Sequence, residues 1–173
     1  MNCFTHRCMR VFVGRRSRVR LSRPLWDDMI LELGRRSGGE RESGAFLLAR
    51  TDCRRTTVER VEYFDDLDAR CLTGGVTFHS SGFERLWAIC MAEGLRVIAD
   101  VHTHGGTFVR QSSIDRANPM VATAGHVALI VPHLAQQSVS ALDCGVHIYL
   151  GAHKWDQALG RAARRSLYIG RWA

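Results

Sequence analysis

At 173 residues, with 46% hydrophobic and 24% charged residues, the chain has the size and composition of one soluble globular domain, long enough to bury about two thirds of the surface its unfolded form exposes. No apolar run approaches the ~18 to 20 residues of a membrane-spanning helix, and six cysteines without a Cys-x-x-Cys pair argue against both a disulfide framework and a zinc ribbon. The net charge of +7 would suit nucleic acid or an acidic protein surface. The basic residues, all arginine except Lys154, cluster near the ends at residues 15–20 and 161–165, and they read most simply as solvated faces, so neither nucleic acid nor a membrane is expected as a partner.

Residues 1–17 show no periodicity and are expected to form a poorly ordered basic arm, leaving 18–173 as the folded domain. The arm lacks the apolar core of a secretory signal, which makes the cytoplasm the expected location. Pro24 suits a first helical turn, and Trp26, Met29, Ile30 and Leu33 then make an i, i+3, i+4, i+7 stripe that stops near Gly38 and Gly39. Residues 44–49 read as a buried strand and 57–64 as a β-branched and aromatic partner for it. Asp65, Asp66 and Asp68 mark a loop before a further strand over 75–78. Ser81 and Glu84 have the spacing of a capping box, which predicts a second helix with Phe83, Leu86, Trp87, Cys90 and Met91 on one face and Gly94 at its end. A strand over 95–101, a short turn of helix at Asp115, strands over 126–131 and 146–150, and a last helix over about 155–165 complete the pattern. Helices alternating with strands in this order predict an α/β fold, a mixed β-sheet flanked by helices.

Chemistry concentrates at the end of the strand over 95–101. His102 and His104 are separated by one residue, so the period of two puts both imidazoles on one strand face, within reach of one metal ion. Asp115 offers a third ligand, and three protein ligands with one position open for water are the arrangement of a catalytic zinc site. Taken alone, a His-x-His pair also fits two ordinary histidines. His79, His126, His133, His147 and His153 belong to no ligand-spaced cluster and are not expected to bind metal, whereas Asp100 is a candidate to support the ligands from behind.

Taken with Glu42 and the small-residue and apolar strand that follows it, Ser43-Gly44-Ala45-Phe46, the series His102, His104, Ser112 and Asp115 resembles the JAMM (MPN-plus) zinc metalloprotease family over roughly residues 20 to 155. The resemblance implies the MPN/JAMM, cytidine-deaminase-like fold and one Zn²⁺ per chain. It assigns His102, His104 and Asp115 as metal ligands, Glu42 as the general base and Ser112 as a hydrogen-bond donor to the substrate oxyanion. Glu40 competes with Glu42 for the base position, and from spacing alone Ser112 reads equally as the N-cap of the turn at Asp115. Gly105 departs from the family, which has proline there. The resemblance further implies cleavage after the C-terminal tail of a ubiquitin-like protein, by deconjugation or precursor processing, in a bacterial conjugation pathway linked to antiphage defence. Its partners would be the ubiquitin-like protein and its conjugates, together with activating and conjugating enzymes. Sulfur-carrier-protein processing and a catalytically silent scaffold are the alternatives.

Overall fold

The computed structural model describes residues 19–53, 56–72 and 76–171. Strand β1 (Val19–Ser22) runs directly into helix α1 (Arg23–Ser37), where the Ser22 hydroxyl accepts from the Leu25 N–H at 3.3 Å and Gly38, at φ 60°, closes the far end in the left-handed conformation that glycine adopts most readily. Next come β2 (Gly44–Arg50), β3 (Arg60–Tyr63), the short helix α2 (Phe64–Leu67), α3 (Ser80–Glu93) and β4 (Leu95–Thr103). The chain continues through α4 (Ser113–Ala117), β5 (Val127–Val131), β6 (Gly145–Gly151), β7 (Lys154–Ala158) and β8 (Leu167–Gly170).

Six of the strands form one sheet in the order β3-β2-β4-β5-β6-β7, and β1 pairs in parallel with β8. Within the large sheet β4 runs antiparallel to β2 and parallel to β5, so the sheet is mixed, as expected. Alternation along β2 supplies both faces. Ala45, Leu47 and Ala49 join the α1 residues Trp26, Met29 and Leu33 in one core, while Phe46 and Leu48 join Phe64, Leu86 and Cys90 in a second core under α3. The strand that carries the histidines is therefore clamped between neighbours in the sheet and covered on both faces, which makes it a stiff support for a site. No helix among the described residues is long and apolar enough to cross a membrane.

Four expectations need correction. Helix α3 begins at Ser80, with His79 as its N-cap and no side-chain cap from Ser81; the His79 N–H is instead held by Asp68 at 2.9 Å. The strand expected over 75–78 reduces, among the described residues, to a single bridge between Leu72 and Val76. Asp65 and Asp66 lie in the first turn of α2 rather than in a loop, where both carboxylates bind Arg36 of α1. The last helix is absent: β7 pairs with β6, and only a 3₁₀ turn over Gly160–Arg165 separates it from β8. At Asp65, Asp66, His79 and the last segment a partner elsewhere in the chain outweighs a local pattern. The N-terminal arm lies outside the described residues.

Candidate metal and active site

His102 is the penultimate residue of β4, and its backbone pairs with Gly44 on β2 and Ile130 on β5. His104 lies just beyond the strand, with its N–H given to the Val131 carbonyl at 2.8 Å and its own carbonyl accepting from Leu134 at 2.8 Å. That second contact comes from a left-handed turn, since His133, Leu134 and Ala135 have φ of 57°, 52° and 57°. Three successive non-glycine residues in this region are strained by roughly 1 kcal/mol or more each, and their strain is retained where the chain braces a ligand.

The two imidazoles converge with Nε2 atoms 3.1 Å apart, and Asp115 Oδ2 lies 3.5 Å from His104 Nε2 and 3.9 Å from His102 Nε2. Zinc–nitrogen bonds of about 2.0 to 2.1 Å at a tetrahedral angle put ligand atoms about 3.3 Å apart, so the three atoms fit one ion. They are the one set among the described residues whose His, Cys, Asp or Glu ligand atoms gather closely enough to hold a metal. Further contacts orient them. His104 donates from Nδ1 to the Phe108 carbonyl at 2.9 Å, which leaves Nε2 for the ion, and the exposed Phe108 ring stacks almost parallel to the imidazole, 8° out of plane. Asp115 and Ser112 cap α4 reciprocally: the Ser112 N–H donates to Asp115 Oδ2 at 2.7 Å and the Asp115 N–H to Ser112 Oγ at 3.1 Å. Ser112 is thus an N-cap, its hydroxyl oxygen engaged by the Asp115 N–H.

Glu42 reaches the site from the residue before Ser43, with Oε1 4.0 Å from His104 Nε2. Its approach is fixed by Ser43, whose hydroxyl donates to the Leu33 carbonyl of α1 at 2.8 Å and whose N–H donates to Thr103 Oγ1 at 2.9 Å. Glu40 stands exposed in the preceding turn and lines no part of the cleft. That cleft, of about 50 Å³, is lined by Glu42, Asp100, His102, Gln111, Asp115 and Trp155. A larger cavity, about 430 Å³, lies at the opposite end of β4 beside Arg96 and Val97, and none of the motif residues borders it.

The electrostatics suit deprotonated ligands at His102 and Asp115. Burial pushes the His102 pKa down, favouring the neutral imidazole that binds metal. Burial would raise Asp115, but the adjacent His104 and His102 hold its carboxyl well below the usual range. For His104, burial lowers the pKa while Asp115, the Phe108 carbonyl and Glu42 raise it, with a net rise. Glu42 is pushed up chiefly by burial, with His104 opposing and Asp115 adding to the shift.

Asp100 shares the His102 side of β4 but gives its carboxylate to His126, Oδ1 to Nε2 at 2.6 Å, with both side chains 3% exposed; it supports the ligands from two residues away rather than by contact. Its position two before His102 was legible, but its partner, in the turn just before β5, was not. His147 was also passed over. Buried on β6, it donates from Nε2 to the Val109 carbonyl at 3.0 Å and ties down the loop between the histidines and Ser112.

No family model matches the sequence. Among solved structures, a protein from Desulfitobacterium hafniense is similar at 18% identity and TM-score 0.60, covering 87% of this chain and 92% of that one. A protein from Salinibacter ruber is similar at 15% identity and TM-score 0.53, covering 83% and 91%, and a JAB1/MPN domain protein from Archaeoglobus fulgidus at 16% identity and TM-score 0.47, covering 88% and 98%. The chain shares its mixed α/β fold with the Desulfitobacterium and Salinibacter proteins.

Proposed function

We propose that the protein is a JAMM-type zinc peptidase or isopeptidase that cuts the bond following the C-terminal tail of a ubiquitin-like protein, within a bacterial conjugation pathway linked to antiphage defence. The observation that carries the reading is the convergence of His102, His104 and Asp115 on one point, with the Glu42 carboxylate 4.0 Å from His104 at the edge of the same cleft. The motif resemblance supplies the substrate class and the pathway.

His102, His104 and Asp115 would hold the ion, and zinc in such a setting lowers the pKa of a bound water from 15.7 to about 7. Glu42 has the position and the raised pKa of a group that takes a proton at the cleft and returns it to the departing amine, a role worth roughly 10² to 10⁴ in rate. Ser112, anchored as an N-cap, would donate its hydroxyl hydrogen to the oxygen on which charge develops, worth ~10² to 10³. The Asp115 carboxylate, fixed by the Ser112 N–H, cannot swing away when a substrate enters. An arrangement of ligands and base on one strand end and two short neighbouring segments needs no moving part to assemble.

The test is capture. Glu42→Gln removes the base while leaving the ligands and cleft, so the variant should retain a ubiquitin-like protein or its conjugate from native lysate that the wild type releases after cleavage. Recovery of nucleic acid or unrelated enzymes, with no such protein enriched, would contradict the reading.

A further inference from the structure

Gln111 lines the cleft with Glu42, His102 and Asp115 and is 8% exposed. Its Oε1 is buried and hydrogen-bonded to no described residue. The backbone on both sides of it is locked. Val109 gives its carbonyl to His147 and runs so close to Gly145 that a Cβ there would sit 1.8 Å from the Val109 oxygen, while Ser112 is closed in its reciprocal pair with Asp115. A side chain on so fixed a stretch cannot escape burial by a shift of the main chain.

An unpaired amide in such a place is unfavourable for folding alone, because leucine would fill similar volume beside Ile114, Met120 and Trp155 without an unsatisfied atom. A primary amide carries an acceptor and two donors on one plane, and its last torsion is broad and roughly two-fold, so either end can turn to the cleft. Its complement is an extended peptide, whose residues present N–H and C=O to the same side, the pairing that opposed strands use. No charged or apolar ligand group matches both atoms.

We propose that Gln111 is a substrate-positioning residue whose amide hydrogen-bonds the main chain of an extended peptide lying across the cleft, and so sets the scissile bond against Glu42 and Ser112. The inference rests on the peptidase reading and adds to it a contact that recognises backbone rather than side chain.

The zinc-loaded wild type and Gln111→Leu are compared on the best-cleaved member of a quenched-fluorescent peptide library, and on ester analogues that each lack one main-chain N–H. Gln111→Leu should keep its zinc, melt at or above the wild-type Tm, and show KM raised about 10-fold with kcat nearly unchanged, as expected for loss of one hydrogen bond made equally in ground and transition states. One ester position should cost the wild type about 10-fold and the variant nothing further. A lowered Tm with unchanged KM would make the amide structural and overturn the inference, as would equal responses of both proteins across the ester series. A wild type that holds zinc but cleaves no peptide removes the peptidase reading, and this inference with it; cleavage without dependence on Gln111 removes this inference alone.

Discussion

Ser43 and Thr103 are joined twice: the Thr103 N–H donates to the Ser43 carbonyl at 2.9 Å, and the Ser43 N–H donates to Thr103 Oγ1 at 2.9 Å. Thr103 is the residue between the two histidines and Ser43 the residue after Glu42, so this pair fixes the base relative to the ligands. Thr103→Val keeps the shape and one bond but leaves the buried Ser43 N–H unpaired, which should cost about 1 to 3 kcal/mol by urea titration. Zinc content should be unchanged, while kcat/KM falls about 10-fold or more because small misplacements at a reacting centre are costly. Wild-type kcat/KM in a folded, zinc-bound Thr103→Val would show that the pair does not set the base.

Glu42 and Glu40 are two residues apart, yet only Glu42 enters the cleft. Glu42→Gln should lower turnover by ~10² to 10⁴ with zinc retained, and Glu40→Gln, at an exposed turn, should remain within a few fold of wild type. The reverse order would move the base to Glu40.

In the metal-free chain burial first, and Asp115 after it, push Glu42 up from 4.5, the ordinary value for such a carboxyl, against the opposing His104. The same shift has a sign for stability. A carboxyl whose folded pKa is raised destabilises the folded chain when ionised; the penalty is fully present above the folded value and disappears below the unfolded one. Metal-free Glu42→Gln should therefore be more stable than metal-free wild type at neutral pH, with the gap closing as pH falls below about 4. Denaturant titrations across pH 3 to 8 measure it, and a gap that widens on acidification would contradict the shift.

Gly145 is fixed by contact rather than by conformation, since an added Cβ would meet the Val109 oxygen at 1.8 Å and His147 Nε2 at 2.8 Å. Gly145→Ala should destabilise the protein by roughly 1 to 3 kcal/mol and, by displacing the loop that leads to Ser112 and Asp115, weaken zinc retention. A stable Gly145→Ala with full zinc would show that the loop is not held against β6.

The sequence revealed what has a local period or a fixed spacing. The α1 stripe of Trp26, Met29, Ile30 and Leu33, the apolar β2 and the two histidines of β4 could all be read directly, because burial on one face or both imposes those patterns. What depended on contacts distant in the chain could not. β1 and β8 are four-residue strands that pair with each other, β7 is held by β6, and residues 155–165 carried a helical spacing that this pairing overrides. At the site, Glu42 and the ligands were legible as residue types, but the Ser43–Thr103 bonds, the His126 partner of Asp100 and the His147 tie to Val109 join segments that no spacing links. Ser112 could be read from its spacing as an N-cap, and that is the role its hydroxyl oxygen takes.

Metal content per chain, measured by mass spectrometry of purified protein after dialysis against a weak chelator, decides whether these side chains bind one zinc ion. The wild type should carry close to one zinc, and His102→Ala, His104→Ala and Asp115→Ala each a small fraction of that, with Glu42→Gln unchanged. A wild type without bound zinc, or histidine variants that keep their full complement, would show that His102, His104 and Asp115 are not a zinc site.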